Sequence, residues 1–151
     1  MENHRSELDR FYRCTIRMDG LYYLAARHLG VNENTLSLFY ALDGGAPLSQ
    51  KQLAEEMLIP KTTVNSVVQE YVREGYLQLL PAPHGREKTV SLTPAGQAYA
   101  RQLLRPIYAA EEEAMAATLS RFSPEFLLAA EDLTEQLYRS FHRHILSQKE
   151  H

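Results

Sequence analysis

Between Ser49 and Pro94 the periodicity of the chain changes twice, and few folds accommodate both changes. Ser49 and Gln52, three residues apart, make a capping box that opens a short helix, with Leu53, Ala54 and Met57 on its buried side. Pro60 suits a first helical turn, so a second helix follows over about 61–74 and stops at Gly75. Leu77–Leu80 and Thr89–Leu92 then alternate as strands do, and Pro81, Pro83 and Gly85 between them make a hairpin with a protruding tip. Thr93-Pro94 supplies an N-cap and a first-turn proline, so a long helix starts there and runs to about Leu119.

The flanks read as helices too. Leu8, Phe11, Thr15, Met18, Tyr22, Ala25 and Leu29 recur at spacings of three and four, which puts them in one stripe of a helix over 7–29 that Gly30 ends. A short helix over 34–42 carries Leu36, Phe39, Tyr40 and Leu42, and Asp43-Gly44-Gly45 breaks the chain after it. Ser123-Pro124 restarts a helix whose stripe is Phe126, Ala130, Leu133, Leu137 and Phe141. The fold class is mainly α with a small β-hairpin. We expect a single domain over 1–151, with a head at 33–93 and helical arms at 1–32 and 94–151. The apolar stripes of the arms exceed what one small head can cover. The surplus predicts an isologous homodimer through Leu8, Phe11, Phe126, Ala130, Leu133, Leu137 and Phe141.

Several classes of chemistry lack a foothold. There is no paired nucleophile and base, no Gly-rich phosphate loop and no metal-ligand spacing, so neither an enzyme nor a cofactor or metal is expected. His142 and His144 are two apart on a helix and point to different sides, and Glu111-Glu112-Glu113 reads as a solvated face. No apolar run is long enough to cross a bilayer, and Met1–Arg5 does not read as a secretory signal. A lone cysteine, Cys14, fits a reducing cytoplasm. It sits at the edge of the first stripe near Arg13 and Arg17, and is expected to be buried and inert, with a redox sensor as the alternative.

The helix over 61–74 has two unlike faces. At about 100° per residue, Val64, Val67, Val68 and Tyr71 fall on one side and Thr62, Asn65, Ser66, Gln69 and Arg73 on the other. In a helix-turn-helix the second helix packs one side on its domain and offers the other to a major groove. Asn and Gln pair bidentately with adenine, and Ser and Thr reach bases or phosphates. A helix that only covers a core would more often carry Glu and Lys there, for their helix propensity. In the hairpin tip, Arg86 stands on a narrow finger of the kind that enters a minor groove, where negative potential concentrates. The charge of this segment is balanced, with Lys51, Lys61, Arg73, Arg86 and Lys88 against Glu55, Glu56, Glu70, Glu74 and Glu87. That balance favours the competing class, a winged-helix head that docks on proteins without touching DNA.

Leu48-Ser49-Gln50-Lys51-Gln52-Leu53-Ala54, then Val67 through Glu74-Gly75-Tyr76-Leu77, then His84-Gly85-Arg86-Glu87-Lys88-Thr89-Val90-Ser91-Leu92-Thr93-Pro94-Ala95-Gly96, form a set that resembles the MarR family of bacterial regulators. The resemblance covers nearly the whole chain. It implies a winged helix-turn-helix head between N- and C-terminal helical dimerisation arms, and a dimer that binds double-stranded DNA at a near-palindromic site, commonly as a repressor released by a small aromatic ligand. It implies that Ser49, Lys61, Thr62, Thr63, Asn65, Ser66, Gln69, Arg73, Arg86 and Lys88 meet DNA. The ligand pocket it implies would draw on Tyr12, Arg17, Tyr22, Tyr23, His28 and Tyr40. Two positions depart from the family pattern: His84 stands where an aspartate is usual, and Leu79 near where an arginine is usual.

Overall fold

The computed structural model describes residues 3–82, 85 and 87–147. Their order is α1 (Arg5–His28), α2 (Glu33–Leu42), β1 (Leu48–Ser49), α3 (Gln50–Met57), α4 (Lys61–Arg73), β2 (Leu77–Pro81), β3 (Lys88–Leu92), α5 (Pro94–Leu119) and α6 (Glu125–Phe141), followed by a π-helical turn, His142–Leu146. This is the mainly helical class read from the sequence, with one addition. The hairpin of β2 and β3 gains a third antiparallel strand, β1, which pairs Leu48 with Val90 and Ser49 with Thr89 to give the order β1-β3-β2. Two residues placed directly before a helix carry no alternation, so β1 leaves no periodic trace in the sequence.

The chain divides into two compact units, one ending at Tyr108 and one beginning at Ala109, and α5 runs through the boundary just after Pro106. The first unit holds the core. Leu38, Phe39, Leu53, Val64, Val68, Val90 and Leu104 are closed to solvent, so α2, α3, α4, β3 and α5 each give side chains to one cluster. Aromatic rings continue it outward. Phe39 meets Tyr71 and Tyr99 edge-on, both at 5.0 Å, and Tyr76 stacks on Tyr99 at 4.5 Å. Burial first, and then the neighbouring Tyr71, push the Tyr99 phenol up to about 12.

Three local devices fix the head. The capping box at Ser49 is present as read: its hydroxyl accepts from Gln52 N at 3.1 Å, and Gln52 Oε1 accepts from Ser49 N at 2.9 Å. Thr93 ties the wing to α5, donating its hydroxyl proton to Gly75 O at 2.6 Å and accepting from Gly96 N at 3.0 Å. Gly96 lies so close to the Tyr76 carbonyl that a methyl group added there would collide with it. The third device breaks a local rule. Leu58, which ends α3, has φ of 51°, a left-handed position that glycine usually fills, and its side chain is 83% exposed.

The stripe of α1 is partly covered: Leu8, Met18 and Tyr22 are exposed, Phe11, Thr15, Ala25 and Leu29 are half-buried, and the fully buried residue of the helix is Ala26. Cys14 is exposed as well, which corrects the expectation of a buried thiol. The reason is that the α1 face bearing it meets no other described part of the chain closely enough to exclude solvent. In the second unit, α6 carries no buried residue. Among the described residues, no helix is long and apolar enough to cross a membrane.

Candidate nucleic-acid interface

The two faces of α4 separate as the sequence implies. Val64, Val67 and Val68 are buried, while Lys61, Thr62, Asn65, Ser66 and Arg73 are exposed and Thr63 and Gln69 half-buried. β-branched valines lower helix propensity but fill the space between α4 and the sheet, so tertiary packing holds the helix. The outer side chains are partly pre-ordered. Asn65 Oδ1 accepts from Gln50 Nε2 at 3.3 Å, and Ser66 Oγ donates back to Thr62 O at 3.0 Å. Gln50 was not among the residues singled out in the sequence. It lies in the first turn of α3, and nothing in its spacing marks it as a partner of Asn65.

Ser49 serves as the cap of α3, which leaves its hydroxyl proton free to donate. Lys88 opens β3 opposite Pro81 and is exposed. Lys61 Nζ lies 3.2 Å from Glu87 Oε1, so the first residue of α4 is ion-paired to the base of the wing. Both side chains are about half exposed, and such a pair contributes about 0–1 kcal/mol. Its importance is chemical, because a carboxylate occupies a cation that a phosphate would otherwise meet. Arg86, expected in the minor groove, and His84 lie outside the described residues.

Of the six residues named for a ligand pocket, the structure brings two together. Tyr22 of α1 and Tyr40 of α2 line a cavity of about 450 Å³ with Leu36, Ser37 and Met57. Tyr12, Arg17, Tyr23 and His28 do not line it; all four are exposed, and the Arg27 guanidinium sits 5.8 Å over the Tyr23 ring. Among the described residues, no group of three or more His, Cys, Asp or Glu side chains could hold a metal ion.

Residues 29–87 match the model of the MarR family. No curated protein matches the chain. Among solved structures, a MarR family regulator from Neisseria meningitidis is 20% identical, with 91% of this chain and 97% of that one covered and a TM-score of 0.77. The transcriptional regulator BldR from Sulfolobus solfataricus is 17% identical over 92% and 99%, with a TM-score of 0.66. Wild-type MarR of E. coli in its apo form is 15% identical over 85% and 93%, with a TM-score of 0.60. The resemblance to the MarR family is therefore present twice, as a sequence pattern in the head and as a winged-helix fold along the chain.

Proposed function

We propose that this chain is a sequence-specific, dimeric DNA-binding regulator of transcription acting in the cytoplasm. The observation that carries the reading is the division of α4, whose valines are buried and whose short polar side chains face outward. Thr62, Asn65, Ser66 and Gln69 read base edges in the major groove, and Ser49, Lys61, Thr63 and Arg73 hold phosphates. Arg86 and Lys88, at the hairpin, reach the adjoining minor groove. The apolar stripes of the arms, through Leu8 and Phe11 of α1 and Phe126, Ala130, Leu133, Leu137 and Phe141 of α6, none of them fully buried, join two chains so that paired heads meet a near-palindromic site. The chain acts as a repressor that a small aromatic molecule releases by entering the cavity beside Tyr22 and Tyr40.

The test is selection of binding duplexes from a random pool, then titration of the best one by fluorescence anisotropy at two salt concentrations. Expected are a near-palindromic site, affinity that falls steeply with salt, and about tenfold or greater loss for Asn65→Ala, with Arg86→Ala also weakened. The balanced charge of the head and the Lys61–Glu87 pair favour a second reading, a docking head for proteins. No enrichment at low salt by a folded dimer would reject DNA binding in favour of that second reading.

A further inference from the structure

A second cavity, of about 430 Å³, opens between the end of α2, the loop leading to β1, strand β3 and the first turns of α5. It lies wholly within the unit ending at Tyr108. Its size is that of a small-molecule site. Its walls carry Asp43, Ser91, Gln97 and Arg101 as polar groups, with Leu42 and Leu92 among the apolar ones.

Three of the polar groups are incompletely used. Ser91 Oγ is buried and, among the described residues, has no hydrogen-bond partner. Native proteins rarely leave a buried hydroxyl unpaired, and each case calls for an explanation. Asp43 Oδ2 accepts from the Tyr108 hydroxyl at 2.7 Å, which holds the carboxylate in place and leaves Oδ1 open. The Arg101 guanidinium makes no ion pair with any described residue. Asp43 and Arg101 thus line one small cavity without neutralising each other.

That charge pattern selects a ligand. A purely anionic molecule would satisfy Arg101 but meet the Asp43 carboxylate, and a purely cationic one would meet the reverse. The geometry points to a site for a small zwitterion of the free α-amino-acid class. The ligand carboxylate takes the planar fork of Arg101, and its ammonium faces Asp43. An apolar side chain then rests against Leu42 and Leu92. Gln97, which offers both a donor and an acceptor, closes either end. The site shares no lining residue with the proposed DNA contacts or with the cavity beside Tyr22.

Isothermal titration of the purified protein with each of the common α-amino acids tests this, alongside the matching carboxylic acids without the amine and amines without the acid. At least one amino acid should bind at millimolar concentration or better, and its acid and its amine at least tenfold more weakly. Arg101→Gln and Asp43→Asn should each remove the heat. Neither residue is buried, and a circular-dichroism melt confirms that the variants fold. Occupancy should also slow amide exchange in β1 and β3, which flank the site. Absence of binding by every amino acid, equal binding of an acid lacking the amine, or undiminished binding by Arg101→Gln would each overturn the assignment.

Discussion

In the unit ending at Tyr108, Phe39, Leu53, Val68 and Leu104 are sealed from water, whereas from Ala109 to Ser147 no described residue is buried. Yet α6 repeats Phe126, Ala130, Leu133 and Leu137 as regularly as any core-facing helix. Helical periodicity therefore says which face wants cover, and it is silent on where the cover comes from. In the first unit the cover is the same chain. In the second, the cover is incomplete: Ala130, Leu133 and Leu137 of α6 are half-buried and Phe126 is exposed.

The sharpest way to break this comparison is to truncate one large apolar side chain in each unit. Phe39→Ala should cost about 3–5 kcal/mol in urea unfolding, because a fully enclosed ring leaves a cavity behind. Leu128→Ala, at a residue 64% exposed, should stay within about 0.5 kcal/mol. Comparable losses from the two would mean that α6 is a core element after all. Placing a charge on the α6 stripe comes next. Leu137→Glu is expected to give a folded monomer by sedimentation, with affinity for a two-fold DNA site down by about 100-fold as paired binding is lost. A dimer of unchanged stability would remove α6 from the interface.

Within the first unit, the ring cluster has its own signature. The Tyr99 phenol titrates near 12 in the folded chain against an ordinary value of 10.0. Its contribution to stability is complete below pH 10 and is lost as the pH rises through about 12. A chemical-denaturation series from pH 9 to 12 should show that decline, and Tyr99→Phe should make it shallower. The smallest expected effect is at Leu58. Replacing this left-handed leucine by glycine should stabilise the head by about 0.5–1 kcal/mol, seen as a higher melting temperature.

Most of the helical order is legible in the sequence, because caps and stops are local. Ser49 with Gln52, Thr93-Pro94 and Gly75 each announce their helix end through chemistry that needs no distant partner. The two faces of α4 were legible for the same reason, since a helix converts spacing directly into direction. What escaped depends on residues far apart. The strand β1 exists only because Val90 and Thr89 lie beside it, and Gln50 meets Asn65 across a turn. Exposure of Cys14 depends on what fails to cover α1. Leu58 misleads for another reason: a leucine held in a glycine conformation carries no sign of it in its identity.

The ion pair between Lys61 and Glu87 has a consequence for how the head would respond to its medium. A lysine that already holds a carboxylate has no anion of its own to give up when DNA arrives. On the proposed reading, a phosphate would replace Glu87 on Lys61, and the freed carboxylate would return to water. The phosphate would still release its condensed cation, but the ion pair with Glu87 would first have to break. That contact would therefore gain less affinity than an unpaired lysine would, by about 0–1 kcal/mol.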